Sequence, residues 1–127
     1  MAFKLINATE AKPGITILVD GVPCTVRSQD ISKTGKHGHA KVRMDAIGIF
    51  DGKKRVLVIP GHERLEVPLI EKKKAQVLSV KDNKASVMNL ESFETLEVDI
   101  GEGLEIEEGK EVEYWEFNQQ KVIKRTL

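Results

Sequence analysis

Ile15 to Val19 and Val22 to Val26 are separated by two residues only, Asp20-Gly21, and no other feature restricts the possible folds of the chain as much. Asp-Gly accepts the positive φ angles of a tight two-residue turn, and both flanks are rich in β-branched residues, so the segment predicts a hairpin. A second Asp-Gly, Asp51-Gly52, stands between Val42–Phe50 and Arg55–Ile59, which again read as strands. The strand ending at Val26 and the strand starting near Val42 are then the arms of a long hairpin. Five short strands with tight turns are expected to close into a small barrel, which leaves no long sheet edge open.

The pattern continues to the C-terminus with a change of character near Val67-Pro68. Pro60-Gly61 is expected to break the preceding strand and Pro68 to stop sheet pairing, which places a short linker there and domains at 1–69 and 70–127. Beyond the linker, strands are predicted over residues 75–80, 85–90, 94–100, 111–117 and 120–124, with the Glu-rich run 101–109 as a loop or single helical turn. Five strands in so short a span fit an OB-type barrel. The chain is expected to be all-β, with no internal repeat.

Between the arms of the long hairpin lies Ser32-Lys33-Thr34-Gly35-Lys36-His37-Gly38-His39-Ala40-Lys41. A segment this cationic, with no aliphatic residue longer than alanine, is expected to be a solvated loop that presents Lys36 between Gly35 and Gly38. The zero net charge hides an asymmetry centred here. Residues 1–69 hold eleven Lys and Arg against seven Asp and Glu, whereas residues 70–127 hold nine against thirteen. The window from Arg27 to Arg43, with Arg27, Lys33, Lys36, Lys41 and Arg43 against Asp30 alone, supplies the whole surplus of the first half. Charge by itself leaves two readings open, a polyanion partner or an ordinary solvated hairpin tip.

Several chemistries are disfavoured by spacing. A phosphate-cradling P-loop needs a glycine where Asp30 stands and a Ser or Thr where His37 stands. His37, His39 and His62 lack a cysteine or carboxylate at metal-ligand spacing, and no nucleophile elbow or paired carboxylates appear. The single cysteine, Cys24, alternates with Val22 and Val26 and is expected to be a buried apolar residue in a reducing compartment. Tyr114, Trp115 and Phe117 fall in one strand, where alternation is expected to bury some of them, so core packing is favoured over a row of exposed stacking rings, while the acidic second half argues against that barrel as the main nucleic-acid surface. With no membrane-length apolar run and no signal-peptide core at the N-terminus, the chain is expected to be soluble and cytoplasmic, with no membrane partner.

The ten residues Ser32 to Lys41 resemble the hypusine loop of the archaeal and eukaryotic translation initiation factor 5A family, relatives of bacterial elongation factor P. Ile47-Gly48-Ile49-Phe50-Asp51-Gly52-Lys53-Lys54 and Val67-Pro68 match at corresponding places, and the brevity of the chain is similar to archaeal members. The resemblance implies an N-terminal SH3-like barrel followed by a C-terminal OB-fold barrel. It makes Lys36 the residue to which deoxyhypusine synthase attaches an aminobutyl group taken from spermidine, in a reaction using NAD, giving deoxyhypusine or, if hydroxylated, hypusine. It implies a non-enzymatic factor with no cofactor, metal or small-molecule substrate, whose partners are that synthase and the ribosome, with its rRNA and peptidyl-tRNA. Such a factor relieves stalling, especially at consecutive prolines. Lys33, Thr34, Gly35, His37, Gly38, His39, Lys41 and Arg43 are then the RNA or modifying-enzyme contacts around Lys36. Ser28-Gln29-Asp30-Ile31 departs from the Ser-Thr common before the loop in eukaryotic members. A general RNA-binding module of two barrels, with Lys36 unmodified and one cation among several, is the alternative.

Overall fold

The computed structural model describes residues 3–33 and 40–127. These form an all-β chain that divides into two compact units, Met1–Leu69 and Ile70–Leu127.

In the first unit, strands β2 (Thr16–Val19), β3 (Val22–Lys33), β4 (Ala40–Gly48) and β5 (Lys54–Pro60) form one antiparallel sheet in chain order. Asp20 and Gly21 have φ of 51° and 80°, the tight turn that their identities call for. Strand β1 (Phe3–Asn7) pairs with β6 (Arg64–Pro68), and a 3₁₀ turn, Ala8–Glu10, follows β1. Ile6, Ala8 and Ala11 join Ile17, Cys24, Val26, Val42, Met44 and Ala46 in one core, with Leu65 and Val67 packed against it. The two sheets therefore enclose a single apolar interior, as expected for an SH3-like barrel. Cys24 is fully buried with its thiol pointed at the Val22 carbonyl, 3.4 Å away, and burial pushes its pKa up, away from thiolate chemistry.

The second unit is a closed barrel of β7 (Glu71–Lys81), β8 (Lys84–Asn89), β9 (Thr95–Ile100), β10 (Glu111–Phe117) and β11 (Gln120–Thr126), the OB arrangement. All its pairings are antiparallel except β9 with β11, where Val122 faces Asp99 and Ile123 faces Ile100. Gly101 ends that parallel pair by donating its N–H to the Ile123 carbonyl. A Cβ at Gly101 would lie 2.5 Å from the same oxygen, so barrel closure requires glycine there. The core is Ala75, Val77, Ala85, Val87, Val98, Val112, Tyr114 and Ile123. Tyr114 keeps its hydroxyl satisfied by accepting from Asn89 Nδ2 at 2.8 Å.

Several boundaries differ from expectation. Pro68 does not stop pairing: it is the last residue of β6, opposite Phe3, a strand end where a missing N–H costs little. The predicted linker shrinks to Leu69 and Ile70, because β7 begins at Glu71 and its lysines are ladder residues. The first unit has six strands rather than the expected five: to the four located from sequence it adds β1 and β6, each only five residues long. The connection holding Asp51-Gly52 is five residues long, 49–53, with only Gly52 at positive φ.

Candidate functional site: the stem of the long hairpin

Strand β3 does not end at Val26. It continues for seven more residues, because a bulge between Val26 and Ser28 inserts Arg27 as an extra residue. Before the bulge, Cys24 and Val26 point into the core. Without the extra residue Ser28 and Asp30 would follow them to the inner side, opposite Met44 and Val42. With it, Gln29 faces Met44 on the inner side, while Ser28, Asp30 and Ser32 oppose Asp45, Arg43 and Lys41 on the outer side.

Two consequences position the stem. Gln29 Nε2 donates to the carbonyls of Ala8 at 2.9 Å and Thr9 at 3.1 Å, fastening β3 to the 3₁₀ turn. The other arm is held at its first residue, where the Ala40 carbonyl accepts the Gly61 N–H at 2.8 Å. A Cβ on Gly61 would stand 3.0 Å from Thr9 Cγ2 and 3.2 Å from Ala40 Cβ, so turn, arm and β5 exit meet at a glycine. The stem is thereby a built extension of the sheet that ends with Lys33 opposite Ala40.

The outer face of the stem is polar. Asp45 Oδ2 accepts from Ser28 Oγ at 3.1 Å, and Asp45 lies 3.7 Å from Arg43 and 3.9 Å from Lys54. Lys41 and Arg43, two residues apart on β4, share that face, with Lys41 exposed. Lys33 is exposed and paired with Ala40. The contacts named from sequence thus separate into three ladder residues, Lys33, Lys41 and Arg43, and the remainder, Thr34, Gly35, Lys36, His37, Gly38 and His39, which lie outside the described residues. The expected ten-residue loop is narrower than drawn, since Ser32, Lys33, Ala40 and Lys41 are all paired. Cross-strand pairing needs only backbone groups, so polar side chains that face water on both sides do not prevent it.

Of the three aromatics in β10, Tyr114 and Phe117 are buried, whereas Trp115 stands on the outer barrel surface, half-buried, with Lys72 Nζ 4.5 Å and Lys124 Nζ 5.6 Å from the ring centroid. Strict alternation with buried Tyr114 carries the signal that places it outside. Among the described residues no group of His, Cys, Asp or Glu is arranged to hold a metal ion, and no helix is long and apolar enough to cross a membrane.

Residues 4–63 match the family profile described as translation initiation factor 5A-like, N-terminal. Translation initiation factor 5A of Methanocaldococcus jannaschii is 42% identical over 125 residues, covering 98% of this chain and 95% of the relative. The protein of that name from Archaeoglobus fulgidus is 42% identical, over 94% and 95% of the two chains. A solved structure of eukaryotic translation initiation factor 5A from Methanococcus jannaschii superposes with a TM-score of 0.87, covering 98% of this chain and 95% of that one at 42% identity. An initiation factor 5A family protein from Naegleria fowleri gives a TM-score of 0.73 at 26% identity, with 99% of both chains covered. With near full-length identity above two fifths and a shared two-barrel fold, the chain belongs to the translation initiation factor 5A family.

Proposed function

We propose that the chain is a non-enzymatic translation factor that acts on the ribosome through Lys36, after deoxyhypusine synthase has extended that lysine with an aminobutyl group from spermidine. The observation that carries the reading is the stem. The sheet is prolonged by a bulge and tied down at Gln29 and Gly61, so that both ends of the six residues 34–39 issue from one fixed hairpin. Such a support is what a probe needs if it must reach a distant site without losing its orientation. Family membership supplies the translational context.

The chemistry of the extension fits the task. A lysine offers one ammonium on a flexible stem, and an added aminobutyl group roughly doubles the reach while placing a second amine along a narrow apolar chain. That shape enters a crevice closed to backbone. Lys33, Lys41 and Arg43 at the stem supply charge for flanking phosphates, which position a partner without reading its sequence. The factor then favours peptide-bond formation at stalled sites, consecutive prolines among them, by holding peptidyl-tRNA in a reactive orientation.

Single-turnover peptide-bond formation at a Pro-Pro site tests the reading. Modified protein is expected to accelerate the step at least tenfold, and Lys36→Arg to lose the effect while still binding ribosomes. Equal stimulation by the Lys36→Arg protein would overturn the proposal and favour a general RNA-binding module.

A further inference from the structure

The second unit is acidic, yet its charges are not evenly spread. Lys72 lies opposite Trp115 in the β7–β10 ladder, Lys74 opposite Glu113, and Arg125 opposite Glu113 across β10–β11. Lys124 completes the group by reaching the indole. Two cations, Lys72 and Lys124, therefore lie against one half-buried aromatic ring, and two more, Lys74 and Arg125, flank the neighbouring Glu113 on the same wall of the barrel. The carboxylate among them, Glu113, is already engaged: it accepts the Trp115 Nε1–H at 3.0 Å and an Arg125 N–H at 3.2 Å. Its carboxyl is held below the usual range first by the Trp115 N–H, with Arg125 and Lys72 adding to the effect and burial opposing it. Glu111, one place further along the face beside Gln76, marks the end of the patch.

The opposite wall differs. OB barrels commonly take nucleic acid over their second and third strands, here β8 and β9. On that wall Lys84 is shared between Glu97 at 3.3 Å and Asp99 at 3.8 Å, so the net charge is negative and would repel phosphate.

We propose that the outer face of β7, β10 and β11 around Trp115 is an RNA-contact surface, taking the phosphate backbone of a single-stranded segment. The partner is fixed by charge complementarity. Lys72 and Lys74, two residues apart on one strand, have their Cα atoms roughly 7 Å apart, on the order of the spacing between successive phosphates of an extended strand, so their side chains can reach neighbouring phosphates. The indole offers one base a stacking platform once the more distant ammonium, that of Lys124, moves aside. The surface is separate from the Lys36 hairpin and does not depend on its modification.

Trp115 is the single tryptophan of the chain, so its fluorescence reports on this patch alone. Full-length protein titrated with a short oligouridylate, against a free uridine monophosphate control, is expected to show a saturable fluorescence change. The salt slope of binding should fall by about one for each of Lys72→Ala and Lys74→Ala, and the double variant should bind about tenfold more weakly in low salt. Lys36→Ala should leave the response intact, which separates this surface from the hairpin. RNA binding with an unchanged Trp115 signal, or an unchanged slope in the double variant, would overturn the proposal. A response to polyglutamate but not to RNA would overturn it too, assigning the patch to an acidic protein.

Discussion

Asp51 illustrates how much one residue can organise. Its carboxylate accepts from Arg55 Nη2 at 2.8 Å and Nη1 at 3.2 Å and from the Lys53 N–H at 2.9 Å, fixing the connection that leads into β5. The Arg55 hydrogen bonds above all, then the Lys53 N–H, lower its pKa from 3.8 to about 2. Because the folded value lies below the unfolded one, the stabilisation is fully present above about pH 4 and is lost as pH falls through about 2. Urea unfolding across this range should show wild type more stable than Asp51→Asn at neutral pH, with the gap closing in acid. A constant gap would assign the effect of the substitution to packing. At this scale sequence was informative where a side chain acts within its own segment, as at Asp20-Gly21, and uninformative where partners come from elsewhere. Nothing near Gln29 announces that its amide crosses to Ala8 and Thr9.

At the scale of elements, the long hairpin was legible and its length was not. Val and Ile runs located the arms, but the stem beyond Val26 carries no apolar alternation, because the bulge at Arg27 resets which side faces the core. Alternation predicts that only some of the three aromatics in β10 are buried, but which ones depends on how the strand faces the core, and the pleat buries Tyr114 while leaving Trp115 half-exposed. The strands β1 and β6 escaped notice because their stability comes from pairing with each other across the unit, a non-local fact. If the Gln29 bonds hold the stem in place, Gln29→Ala should cost about 1–2 kcal/mol in chemical denaturation. It should also speed hydrogen exchange at the Gly61 amide, which bonds Ala40. Unaltered exchange there would mean that the hairpin is fixed by its ladder alone.

For the whole molecule, the division of charge is the fact that the fold explains best. Each unit encloses its own apolar core, and each bears its own balance, eleven cations to seven acids in the first and nine to thirteen in the second. The first concentrates its surplus along one hairpin, and the second sets two of its lysines, Lys72 and Lys124, against Trp115. Both arrangements suit a polyanionic partner better than a small substrate, and under the two proposals made above the first barrel would present the modified Lys36 while the second would hold an RNA strand. The proposed modification of Lys36 is open to direct measurement. Peptide-resolved mass spectrometry of protein purified from its native host should find the peptide containing Lys36 heavier by one aminobutyl group, hydroxylated or not. An unmodified lysine at position 36 in every native molecule would contradict the account.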